Sequence, residues 1–279
     1  IEGDVRQYSS VHMKGIELIA GGVPCPPFSH AGKQLGADDE RDMFPEALRL
    51  VAEALPLAVM LENVRGLLDP RFEQYRTGVI ETLNKMGYHA EWRLLQASDF
   101  GVPQLRPRSI LVGLKRSIAR HFSWPEPGLV KSQVVGDVLY DLMAANGWTG
   151  AKQWRSKAQG IGPTLVGGSK KHGGPDLGPT RARKAWETLS VDGRGLADAP
   201  PEQHFEGMPR LTVRMAARIQ GFPDSWQISG KKTSAYRQVG NAFPPPVAKA
   251  VGERIAAAIN ASSAKKVRKK GAVMVAEQV

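Results

Sequence analysis

Short apolar runs alternate with helically spaced stretches over the first 115 residues of the chain. Ile16–Ala20, Leu57–Leu61 and the segments near 88–95 and 109–114 are compact, strand-length runs. Between them Phe44, Leu48, Val51 and Leu55 follow helical spacing after the acidic turn Asp38-Asp39-Glu40. Val79, Leu83 and Met86 do so again, with Gly87 placed as a C-terminal cap. Strand and helix in turn predict an α/β sheet of the doubly wound kind. From about His121 the periodicity gives way to a Gly- and Pro-rich region, expected to be a small second domain over 121–205. Pattern returns with a helix over Thr212–Gln220, opened by a Thr N-cap and closed by Gly221. After Pro244-Pro245-Pro246 a further helix places Val247, Val251 and Ile255 on one face, so residues 206–260 return to the first domain, 1–120. The tail 261–279 carries the basic run Ala264–Lys270 and is expected to be disordered. There is no internal repeat.

Chemistry gathers where the strands end. Cys25, the single cysteine, follows the first strand in Gly21-Gly22-Val23-Pro24-Cys25-Pro26-Pro27-Phe28-Ser29, on a loop stiffened by prolines. A thiolate is a strong nucleophile even at low ionised fraction, so the position suits covalent catalysis; a small buried hydrophobe is the alternative. Glu62, in Glu62-Asn63-Val64, ends a second strand on the same sheet edge. Arg106 and Arg108 alternate in the extended segment Gln104-Leu105-Arg106-Pro107-Arg108, so they are expected to share a face and clamp an anionic or carbonyl-rich substrate. A solvated strand end for Glu62 and a surface ion-pair cluster for the arginines are the plainer readings.

Two further blocks lie near the end: Arg210-Leu211-Thr212-Val213-Arg214 with Gln220-Gly221-Phe222-Pro223-Asp224, and Gln238-Val239-Gly240-Asn241-Ala242-Phe243. The five blocks, in this order, resemble those of the DNA cytosine-5 methyltransferase family. The resemblance covers residues 1 to about 115 and 208 to about 257. Between them Pro163-Thr164-Leu165-Val166-Gly167 is similar to the Thr-Leu pair of the family's target-recognition region.

The resemblance implies a Rossmann-like sheet of the S-adenosylmethionine-dependent methyltransferases with a smaller target-recognition domain. It implies methyl transfer to carbon 5 of a cytosine flipped out of double-stranded DNA, as in bacterial restriction-modification. Such an enzyme would be cytoplasmic and nucleoid-associated. Cys25 would be the nucleophile on carbon 6 and Glu62 the acid at nitrogen 3. Arg108 would contact the base carbonyl, and Arg106 would support the nucleophile loop or a phosphate. Cofactor contacts carried over are Asp4, Val5, Pro24, Met43, Asn241 and Ala242. Ser29, Lys33 and Gln34 lie on a Gly-containing loop after Cys25 suited to a lid over the nucleotide.

Composition agrees with a polyanionic partner. The chain has 38 Lys+Arg against 27 Asp+Glu, net +11, and a basic surface attracts phosphate in a salt-dependent way. Lys170, Lys171, Arg181 and Arg183 fall between Lys152 and Lys184, where Asp176 is the sole acidic residue. With Thr164, and with Trp148, Trp154 and Trp186 as aromatic surface, this region is where DNA contact is expected. One thiol excludes a disulfide framework and a four-cysteine metal site. No stretch approaches the length of a membrane span.

One departure from the family is expected to matter. Its Phe-x-Gly-x-Gly loop, which holds the methionine end of the cofactor, would precede Ile1, as would the acidic residue for the ribose. The sequence thus reads as a fragment, or as one part of a split enzyme whose upstream segment or separate chain supplies that loop. A tRNA cytosine methyltransferase and a non-catalytic DNA-binding remnant are the alternative functions. The recognised DNA site is not legible in one sequence.

Overall fold

The structure, a computed structural model, describes residues 3–24, 42–128, 130–166 and 176–276, with side-chain surroundings through residue 263. Among the described residues the strands are β1 (Leu18–Gly22), β2 (Ala58–Val64), β3 (Tyr88–Gln96), β4 (Gln104–Leu105), β5 (Pro107–Lys115) and β6 (Gly162–Pro163). The helices are α1 (Phe44–Ala54), α2 (Glu73–Lys85), α3 (Arg116–Ala119), α4 (Val135–Met143), α5 (Ala151–Lys157), α6 (Thr180–Glu187), α7 (Val213–Ile219), α8 (Lys232–Asn241) and α9 (Pro245–Ala276). The chain divides into two compact units: residues 1–95, 107–125 and 250–279 form the first, and 96–106 with 126–249 form the second.

The first unit is built on a four-stranded sheet in the order β1-β2-β5-β3. β1 runs parallel to β2, whereas β5 runs antiparallel to it. The sheet is therefore mixed rather than wholly parallel. Strand direction depends on connection geometry, which a run of apolar residues does not encode. β2 is buried along nearly its whole length, as a central strand covered on both faces must be. β1 is an edge strand and stays exposed over Ala20, Gly21 and Gly22.

Helix α1 puts Phe44, Val51 and Ala54 into the core, and α2 adds Val79 and Leu83. These meet Val59, Leu61, Leu111 and Tyr88 in one apolar cluster. Gly87 takes φ +86° just past α2, the left-handed turn that its position predicts. Tyr88, fully buried, satisfies its hydroxyl by donating to the Pro56 carbonyl at 2.7 Å. Burial pushes its pKa up to about 12.

The second unit packs α4 to α8 around Leu139, Trp154, Leu165, Trp186, Met215 and Tyr236. Here the structure corrects the sequence reading. Trp148, Trp154 and Trp186 are core residues with 7%, 3% and 0% exposure, not an aromatic surface. The indole N–H of Trp148 donates to Phe205 O and that of Trp154 to Ser190 O. Short helices with one apolar residue per turn bury large rings without showing a long periodic stripe, so the region looked featureless. Thr212 caps α7 by accepting from the Met215 amide at 3.2 Å, and Gly221 closes it at φ +91°. Val247, Val251 and Ile255 of α9 are buried as their spacing predicts. Helix α9 continues through the basic run 264–270, where the sequence predicts disorder.

Candidate active site

The parallel register of β1 and β2 sets Gly22 beside Glu62 at the carboxyl ends of both strands. Beyond that pair Val23 is pinned twice. Its amide donates to Glu62 O at 3.1 Å, and its carbonyl accepts from Asn63 Nδ2 at 3.2 Å. Asn63 is 1% exposed, and its own Oδ1 accepts from the Val64 amide at 2.8 Å. Pro24, exposed, follows Val23, and Cys25 lies outside the described residues. The described chain is thus fixed by backbone and amide bonds up to two residues short of the only thiol.

Glu62 is buried at 8% exposure, and its partner comes from β5. In the antiparallel register Glu62 sits opposite Ile110. Arg108, two residues away on the same face, is its diagonal neighbour. The Arg108 Nε lies 2.7 Å from Glu62 Oε1, both side chains being about nine-tenths buried. A buried carboxylate needs such a partner to offset its desolvation. Ser109 closes the junction behind the pair by donating to Val64 O at 2.7 Å. A Cβ at Gly22 would stand 3.2 Å from Glu62 Oε2, so the absence of a side chain there leaves the carboxylate its place.

Among the described residues Arg106 is held by carbonyl groups of its own unit. It belongs to the second unit and is 1% exposed. Its guanidinium donates to Leu165 O at 2.7 Å, to Gly240 O at 2.6 Å and to Ala242 O at 3.0 Å. Gln104 and Leu105 are bound by the β4–β6 ladder, Arg106 follows them, and Pro107 begins β5.

The remaining candidates are spread over both units. Asp4, Val5, Pro24 and Met43 lie in the first and Asn241 and Ala242 in the second. Asp4 caps its own turn and pairs with Arg6 at 2.5 Å, which holds its pKa down at about 2. Val5 is 39% exposed, and Gly21 has open space where a Cβ would stand. Asn241 ends α8 with its side chain exposed, while Ala242 offers its carbonyl to Arg106. Thr164 Oγ1 donates to Leu105 O at 2.5 Å. Arg181 is exposed on α6, and Arg183 reaches Thr180 Oγ1 at 3.2 Å. Ser29, Lys33, Gln34, Lys170 and Lys171 lie outside the described residues.

Sequence reasoning passed over Asn63, Gln104 and Gln220. All three sit inside blocks already singled out, and all are buried polar residues. Buried amides are kept only where their hydrogen bonds are met, so an amide inside a strand-end block was the available signal.

A strand-end carboxylate paired with an arginine, next to a Pro-Cys loop on an α/β sheet, defines a class of methyl-transferring enzymes, and comparison with known proteins names the family. The family model for C-5 cytosine-specific DNA methylase matches residues 1–257, and the chain belongs to that family. It is 59% identical over 266 residues to the Type II methyltransferase M.NaeI of Lentzea aerocolonigenes, covering 93% of this chain and 64% of that protein. It is 55% identical over 268 residues to the Type II methyltransferase M.NgoMIV of Neisseria gonorrhoeae, covering 93% of this chain and 83% of that one. The chain thus spans just under two thirds of one relative's length and more of the other's. Among solved structures, a prophage-encoded DNA modification methyltransferase of E. coli superposes with a TM-score of 0.60 at 22% identity, over 92% of this chain and 85% of that one. The fold is accordingly Rossmann-like, of the methyltransferase kind. Among the described residues no helix is long and apolar enough to cross a membrane.

Proposed function

We propose that this chain carries the chemistry of a DNA cytosine-5 methyltransferase. The observation that carries the reading is the buried Glu62–Arg108 pair, in register with Gly22, three residues before Cys25. Carbon 5 of cytosine is a poor nucleophile until the ring loses its aromaticity. Addition of the Cys25 thiolate to carbon 6 achieves this and sends an electron pair toward nitrogen 3. A proton delivered there by Glu62 relieves the charge. S-adenosylmethionine, when bound, supplies a sulfonium-activated methyl group for carbon 5. Loss of the carbon 5 proton to solvent then re-forms the carbon 5–carbon 6 double bond, the Cys25 sulfur leaves carbon 6 as thiolate, and the nitrogen 3 proton returns to Glu62, which restores the aromatic ring. Arg108 fixes the carboxyl group in orientation and faces the same base.

Asp4, Val5, Pro24, Met43, Asn241 and Ala242 would hold the cofactor. Double-stranded DNA is the substrate we assign, with Thr164, Lys170, Lys171, Arg181, Arg183 and the Ser29, Lys33, Gln34 loop toward it. Residues 121–205 are its recognition domain. The family description, C-5 cytosine-specific DNA methylase, favours DNA over tRNA. The test is to express the complete gene with a plasmid and sequence the plasmid for 5-methylcytosine. Methylation at one short motif, lost in Cys25→Ala while DNA binding persists, is the expected result. Methylation retained in Cys25→Ala would remove the thiol from the mechanism.

A further inference from the structure

The second unit contains a buried polar network that the chemistry above does not use. Gln104 and Gln220 are both 0% exposed, and Gln104 Nε2 donates to Gln220 Oε1 at 2.7 Å. Gln220 Nε2 donates in turn to Ala242 O at 2.6 Å. Gln104 Oε1 accepts from the Leu165 amide at 2.9 Å, while Arg106 takes the Leu165 carbonyl and those of Gly240 and Ala242. Leu165 is therefore held at both its N–H and its C=O, by the side chains of Gln104 and Arg106 from one short segment. Thr164 beside it bonds Leu105 O, and the β4–β6 pairing adds Gln104 opposite Gly162 and Leu105 opposite Pro163. Four segments distant in sequence converge here: 104–106, 162–165, Gln220 and 240–242.

We propose that Gln104, Arg106 and Gln220 are positioning residues that fix Thr164 and Leu165 for DNA recognition. Arg106 donates to three carbonyls from a 1% exposed site, so its guanidinium acts as a rigid staple among these segments. The arrangement sets the recognition segment in one pose before DNA arrives, which lowers the ordering cost of binding. Removing one member leaves the other buried polar groups unmet, so the effects of the members are coupled.

The inference rests on the methyltransferase reading, and its test separates the two. In the complete enzyme, the DNA dissociation constant and the single-turnover methylation rate at saturating DNA are measured for Arg106→Lys, Thr164→Val, the double variant and Arg108→Lys. A lysine keeps the charge but cannot reach all three carbonyls. Arg106→Lys should weaken binding to the methylated site by ~tenfold or more. Its single-turnover rate should stay within about threefold of the parent. Its effect on binding should not add to that of Thr164→Val, whereas Arg108→Lys should lose rate. Should Arg106→Lys fail to fold, Gln220→Glu replaces it in the same cycle. A rate collapse in Arg106→Lys with unchanged affinity would make Arg106 catalytic and overturn the proposal, as would simple additivity with Thr164→Val. Absence of any cytosine methylation by the parent would instead refute the underlying reading.

Discussion

Arg108 and Glu62 meet across two antiparallel strands, Nε to Oε1 at 2.7 Å, with both side chains about nine-tenths buried. Because the carboxylate is desolvated, the pair serves stability and chemistry together. Glu62→Ala should therefore destabilise the fold by about 3 kcal/mol, since it removes the carboxylate that faces a buried guanidinium. Glu62→Gln, which keeps an acceptor for Arg108, should cost much less stability but still lower the methylation rate by roughly 10²–10³. Chemical denaturation and single-turnover rates on the same variants check this. Equal destabilisation by Ala and Gln would mean that the pair is not what holds the strands.

Asn63 holds the carbonyl of Val23 and so aims the chain that leads to the thiol. Replacing it with Asp sets an acceptor against that carbonyl, and the loop loses its anchor. Asn63→Asp should reduce the rate of covalent adduct formation by ~tenfold or more while leaving DNA affinity nearly unchanged. Stopped-flow quench kinetics give the first quantity and fluorescence anisotropy the second. An unchanged adduct rate would show that the loop is oriented without Val23.

Asp192 accepts from Arg194, through side chain and backbone, and from Arg210. Arg194 above all holds its carboxyl well below the usual carboxylate range. The folded value being depressed, the unfolded chain binds the extra proton first as pH falls. The contribution is then complete above the unfolded value near 4 and is lost as pH drops toward the folded value. Stability measured from pH 6 to pH 3 should fall more steeply in the parent than in Asp192→Asn, which carries no titrating group there. Parallel slopes would remove Asp192 from the acid sensitivity.

Tyr236 is fully buried, and its hydroxyl has no hydrogen-bond partner among the described residues. Burial raises its pKa far above the ordinary tyrosine value. An unmet buried hydroxyl costs roughly 1–3 kcal/mol, so Tyr236→Phe should be neutral or stabilising. Thermal unfolding decides it. A clear drop in Tm would mean that the hydroxyl is satisfied.

Much of the first unit could be read from its pattern. Val59, Leu61 and Leu111 lie in uninterrupted apolar runs that have no other use, and Phe44, Val51 and Leu83 fall on helical faces. Direction could not be read, because β5 presents the same apolar run whichever way it pairs with β2. In the second unit the signal failed for a different reason. Trp154 and Trp186 bury on helices of seven and eight residues, too short for periodicity to show. The candidate site was legible at Glu62 and Arg108, where charged residues interrupt strands. The partners of Arg106 were not legible, because the carbonyls of Leu165, Gly240 and Ala242 are brought to it only by the fold.

The central claim is that Cys25 forms a bond to cytosine, and covalent trapping tests it most directly. The complete enzyme is incubated with S-adenosylmethionine and duplex DNA carrying 5-fluorocytosine at the methylated position. Fluorine replaces the proton that must leave carbon 5, so the adduct cannot resolve. The account predicts a denaturation-resistant protein–DNA species whose peptide map places the link at Cys25, absent in Cys25→Ala and strongly reduced in Glu62→Gln. Methylation of ordinary DNA without any such species, or a link at another residue, would contradict it.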